Sequence, residues 1–87
     1  MTLQEQFTKA SKDIQLLSEK PTNDVLLKLY ALYKQATLGN NETEAPTNPF
    51  DFVAKAKYQA WMNIKDTEKD DAMQQYIDQV RALIAEA

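Results

Sequence analysis

Apolar residues recur at helical spacing along most of the chain, and the period-two alternation of strands is missing. Over residues 3–18, Phe7, Ala10, Ile14 and Leu17 form one stripe at steps of 3, 4 and 3, with Lys9, Lys12, Asp13 and Gln15 off it. Pro21 then stops or separates that helix, because proline lacks an N–H and restricts the residue before it. A second helix is predicted from Thr22 or Asn23, both good N-caps, to Thr37 or Leu38, with Asp24 matched to the positive helix start. Its apolar residues Val25, Leu26, Leu29, Tyr30, Leu32, Tyr33 and Ala36 cover more than half its circumference. So wide an arc needs two neighbours, or a neighbour and a ligand. Gly39 suits the position after its end. A third helix is predicted to begin between Asn48 and Asp51 and to run to about Asp66, with Phe52, Ala56 and Ala60 on one stripe and Tyr58, Trp61 and Met62 widening it. The fourth opens at Thr67-Glu68-Lys69-Asp70, a capping-box-like start with Asp in place of Glu, and continues through Met73, Tyr76, Ile77, Val80, Leu83 and Ile84. The expected fold is an all-α four-helix bundle. Short connections make helices one and two, and three and four, antiparallel neighbours, while the polar stretch 40–51 allows a longer crossover.

At 87 residues the chain is expected to form one domain over residues 1–87, with a single modest core. Cys and His are both absent, which excludes thiolate metal sites, disulfides, most nucleophilic triads and imidazole proton shuttles. No metal, no cofactor and no enzyme activity are therefore expected. A net charge of −3 argues against a nucleic-acid partner, since that binding runs on basic surface. No apolar run approaches the roughly 18 residues of a membrane span, so no stable membrane insertion and a cytoplasmic location are expected.

The charge is uneven, and this changes the picture. Residues 25–38 carry Lys28 and Lys34 and no acid; residues 52–65 carry Lys55, Lys57 and Lys65 and no acid. Both segments are rich in aromatic residues, so together they suggest one local anion site in an acidic protein. On helix two, Tyr30, Tyr33 and Lys34 sit at i, i+3 and i+4, on one side. Taken singly, each of these residues has an ordinary explanation. Tyr30, Tyr33 and Tyr76 fit core or rim packing, Trp61 fits the core, and Lys34 and Lys57 fit solvated surface.

Taken together they are more specific. "LYALYKQATLGN", followed by "TEAP", then "DFVAKAKYQAW" and "DDAMQQYIDQV", resembles the acyl-coenzyme A binding protein family in order and spacing over essentially the whole chain. The resemblance implies an up-down-down-up four-helix bundle that binds long-chain fatty acyl-CoA one to one. Such a protein is a monomeric, non-catalytic carrier and pool former. Carried over position by position, it implies that Tyr30, Tyr33 and Lys34 of helix two, Lys57 of helix three and Tyr76 of helix four bind the ligand. Leu26 and Leu27, facing Ala56 and Tyr58, are the expected acyl-chain groove. The chain departs from the family pattern at Gln15, Val53 and Ala45, where basic residues are frequent, and also has Ala54 for Gly and Tyr58 for Trp. These departures leave a second reading open, a helical protein-interaction module whose ligand pocket has drifted.

Overall fold

The computed structural model describes residues 1–86, and among them the regular structure is entirely helical. Helix α1 spans Leu3–Asp13, α2 Asn23–Leu38, α3 Phe52–Met62 and α4 Lys69–Glu86. A capping box starts α1. Thr2 Oγ1 accepts from the Glu5 N–H at 3.1 Å, and Glu5 Oε1 accepts from the Thr2 N–H at 3.2 Å.

Three boundaries differ from the sequence expectation. Helix α1 ends at Asp13 and tightens into a 3₁₀ turn over Ile14–Leu16, not at Ser18. Leu17 is extended, with φ −63° and ψ 134°, so its side chain borders the same recess as Val25 and Leu83. Helix α3 ends at Met62 and not near Asp66: residues 63–66 form tight turns, and Asp66 takes a left-handed backbone at φ 71°. Helix α4 begins at Lys69, one residue later than a Thr67 cap would give, and the Glu68 carbonyl accepts from the Ala72 N–H at 2.9 Å. At α2 the expectation holds at both ends. Thr22 caps the start through the Val25 N–H, and Gly39 ends it at φ 84°, a backbone that a side chain would strain.

The core sits where α1, α2 and α4 meet. Phe7 and Ala10, then Leu29, Leu32 and Ala36, then Ala72, Tyr76, Ile77 and Val80 form one buried cluster. Helix α4 packs on both α1 and α2, while α3 packs mainly on α2. This arrangement explains the broad apolar arc of α2. One side closes the core against α4, and the other side is the wall that α3 leans on. Helix α3 itself buries a single residue, Trp61.

Candidate functional site

The site lies between α2 and α3, where two grooves meet. The first, of about 310 Å³, has Leu26 and Leu27 on one wall and Phe52, Val53 and Ala56 on the other. The second, of about 340 Å³, runs toward the C-terminal end of α2, past Lys34, Tyr58 and Trp61, with Asn41 and Pro46 of the long connection on its border. Tyr30 and Lys57 line both grooves and mark their junction.

Helix geometry explains the division. Leu26, Leu27 and Tyr30 are neighbours one turn apart on α2, and Lys34 lies one further turn along the same face. On α3, Ala54, Lys57, Tyr58 and Trp61 follow the i, i+3, i+4, i+7 rule and face the second groove. Ala56 faces the first groove, and Tyr58, two residues on, is turned about 200° from it. Tyr58 therefore does not face Leu26 and Leu27 as expected from sequence. It sits beside Lys34 and Trp61 in the second groove.

The electrostatics of the junction centre on the Tyr30 ring. Lys57 Nζ is 5.3 Å from its centroid and Lys34 Nζ is 5.8 Å from it; Lys34 Nζ is also 6.0 Å from the Trp61 ring. The negative face of the ring draws both ammonium groups together. Among the described residues the one ion pair is Lys9–Asp13 at 2.6 Å, so no carboxylate neutralises Lys34 or Lys57. Two unneutralised cations beside an aromatic face can hold an anionic group. Glu44 is the carboxylate on the border of this groove, and it stands exposed.

Tyr33 and Tyr76 turn the other way. The Phe7 ring lies 5.4 Å from Tyr33 and 5.1 Å from Tyr76, and the two tyrosines are 6.0 Å apart, an aromatic triad joining α1, α2 and α4. Tyr33 keeps 42% of its surface exposed and still offers a ring to solvent on the α1 side. Tyr76 is only 5% exposed, and burial, with Tyr33 adding a smaller effect, pushes its phenol above the ordinary value of 10.0. The structure thus groups Tyr30, Lys34, Lys57 and Tyr58 with Leu26, Leu27 and Ala56, and it places Tyr33 and Tyr76 in a neighbouring cluster.

One buried residue that braces the site through Trp61 escaped the sequence reading. Gln35 is 1% exposed, and its side-chain amide donates to Asn40 Oδ1 at 2.9 Å and to the Thr67 carbonyl at 2.7 Å. Its Oε1 accepts from Trp61 Nε1 at 3.1 Å, and the same indole N–H reaches the Gly39 carbonyl at 2.9 Å. Asn40 in turn clasps Asp66, accepting from its backbone N–H at 2.7 Å and donating to its carboxylate at 3.0 Å. These bonds fix the end of α2 to α3 and to the turn before α4. A signal was available, since Gln35 stands three residues after Leu32 and four after Ala31, on the core face of α2.

Comparison with known proteins identifies the family and the fold. The family model described as acyl-CoA binding protein matches residues 4–80. The chain is 47% identical over 79 residues to acyl-CoA-binding protein homolog 1 of Caenorhabditis elegans, covering 91% of each chain. It is 44% identical to the acyl-CoA-binding protein of Saccharomyces cerevisiae, covering 91% of this chain and 90% of that one. The crystal structure of Oryza sativa acyl-CoA-binding protein 2 superposes with a TM-score of 0.91 at 35% identity, covering 98% of this chain and 93% of that one. The chain belongs to the acyl-CoA-binding protein family, with its all-α fold. That family is one of binding proteins and not of enzymes.

Proposed function

We propose that the chain, as a single domain over residues 1–87, binds one long-chain fatty acyl-CoA ester across the α2–α3 junction and serves as a monomeric cytoplasmic carrier and pool former for it. The observation that carries this reading is the shared lining of the two grooves. An apolar recess and a cation-lined aromatic recess meet at Tyr30 and Lys57, matching a ligand with an alkyl half and an anionic nucleotide half.

The tail lies in the first groove, between Leu26 and Leu27 on one side and Ala56 on the other. From Asn23 to Tyr30 this wall is seven residues long, about 10 Å of helix. That is the length of roughly eight extended methylenes, and at about 0.8 kcal/mol each they contribute roughly 6 kcal/mol. The phosphates meet Lys34 and Lys57, each charge-assisted bond contributing about 1.5–3 kcal/mol. The base stacks on an aromatic ring, Tyr30 at the junction or the exposed face of Tyr33, for about 1–3 kcal/mol. Tyr76 backs that surface from the core by supporting Tyr33 and Phe7, and Tyr58 walls the nucleotide side. The tail is the largest single contribution.

Calorimetric titration with palmitoyl-CoA, free CoA and palmitate tests the reading. Saturation near one equivalent is expected for palmitoyl-CoA. Free CoA is expected to bind about ten-thousandfold more weakly, the equivalent of roughly 6 kcal/mol. Absence of saturable heat with palmitoyl-CoA at micromolar protein overturns the proposal.

A further inference from the structure

Lys34 and Lys57 both approach the Tyr30 ring, yet they are held differently. Lys57 is exposed and stands over that one ring, its Nζ 5.3 Å from the centroid. Lys34 is half-buried and stands over two rings, its Nζ 5.8 Å from the Tyr30 centroid and 6.0 Å from the Trp61 centroid. No carboxylate pairs with Lys34 among the described residues, so the two rings are what draws its ammonium group into the groove.

The Trp61 ring is itself fixed. It is 5% exposed, and its Nε1–H is shared between Gln35 Oε1 at 3.1 Å and the Gly39 carbonyl at 2.9 Å. Both acceptors stand at the end of α2, one and five residues past Lys34. The indole and the ammonium group therefore take their positions from the same stretch of α2, although they come from different helices. A lysine side chain in water samples many rotamers, and ordering it around an anion costs free energy at each binding event. An ammonium group already drawn between two rings has lost part of that freedom before an anion arrives.

We infer that Trp61 is a positioning residue for the anionic half of the ligand. Its fixed indole face keeps Lys34 Nζ in the second groove, ready for a phosphate, while Lys57 is left free to adjust. Tryptophan suits this task, since its face attracts a cation more strongly than that of tyrosine or phenylalanine. Trp61 acts here through Lys34, and its loss should matter only where Lys34 is present.

The inference rests on the proposed acyl-CoA ligand, and a double-mutant cycle separates the two. Palmitoyl-CoA is titrated by calorimetry into the full chain as wild type, as Trp61→Leu, as Lys34→Ala and as the double variant, with circular dichroism showing each to be folded. Trp61→Leu is expected to weaken binding about fivefold in the wild-type background, and less than about twofold where Lys34→Ala is already present. The parallel cycle with Lys57→Ala is expected to be additive within about twofold, because Lys57 stands over Tyr30 alone. Trp61→Phe loses the same indole hydrogen bonds but keeps a ring, so it is expected to bind better than Trp61→Leu. If Trp61→Leu does not fold, Trp61→Phe carries the cycle, with a smaller coupling of about two- to threefold. Equal weakening with and without Lys34, as direct contact between Trp61 and the ligand or simple loss of packing would give, overturns the inference. So does Trp61→Phe binding no better than Trp61→Leu. Either result in a chain whose wild type saturates with palmitoyl-CoA leaves the proposed ligand standing. A wild type that does not saturate removes the ligand, and this role of Trp61 with it.

Discussion

Replacing Gln35 with Ala removes three hydrogen bonds at one buried position. The amide N–H bonds to Asn40 and Thr67 disappear, and Trp61 Nε1 loses one of its two acceptors. Net contributions of such bonds are about 1 kcal/mol each, with a range of roughly 0.5–1.5. Trp61 keeps the Gly39 carbonyl as partner, so the indole itself is not orphaned. The Thr67 carbonyl loses this donor and must find water, and the missing amide leaves a void in close-packed surroundings. A loss of about 3 kcal/mol is expected for Gln35→Ala. A domain of this size is stable by roughly 4–13 kcal/mol, so the variant forfeits a large share of its stability. Urea unfolding followed by circular dichroism measures it. The midpoint should fall with the slope unchanged, and the melting temperature should drop by roughly 12–24 °C. A destabilisation below about 1 kcal/mol would refute the view that this amide fastens α3 and the last turn to α2.

Lys34→Ala is expected to weaken palmitoyl-CoA roughly tenfold or more, through loss of one charge-assisted bond; calorimetry showing unchanged affinity removes Lys34 from the site. Ala56→Phe fills the groove between Leu26 and Phe52, so it is expected to reduce affinity for palmitoyl-CoA while leaving free CoA unchanged, and an equal effect on both ligands argues against a tail in that groove. Burial raises the Tyr76 phenol above 10.0, so the folded state favours the neutral form. Its contribution is fully present below pH 10 and is lost as pH rises through the higher folded value. Phenolate absorbance should show a late phase that Tyr76→Phe abolishes; an absorbance titration that Tyr76→Phe leaves unchanged at its high-pH end contradicts the shift.

The helices themselves were legible because apolar residues recur at helical spacing and their punctuation is local, but the expected pairing of one with two and three with four was not: α1 packs chiefly on α4, and α3 on α2. Thr22, Gly39 and Pro21 act within a few residues of where they stand, and α2 appears as read. The ends of α1 and α3 were not legible. They are set by where Leu17 turns in toward α4 and by the Asn40–Asp66 clasp, both of which depend on distant partners. Within the candidate site, Tyr30, Lys34 and Lys57 converge as the two acid-free segments suggested. The placing of Tyr58 opposite Leu26 and Leu27 failed because it overlooked that Ala56 and Tyr58 lie on different faces of α3. Gln35 was passed over for a chemical reason, although its place on the core face of α2 was readable. A polar residue type reads as surface, and only the indole N–H of Trp61 and the Thr67 carbonyl, far off in sequence, make its burial affordable.

Helix α3 leans on α2 and commits only Trp61, near its C-terminal end, to the interior, while Phe52 and Val53 at the other end face water. Its anchoring is therefore graded along its length. Local opening needs little more than the loss of Ala56 and its neighbours from the face of α2, and the core between α1, α2 and α4 is untouched by it. Amide protons should exchange fastest at the Phe52 end and slowest near Trp61. Helix α3 is thus fastened at the indole and most weakly held at the end that borders the apolar groove.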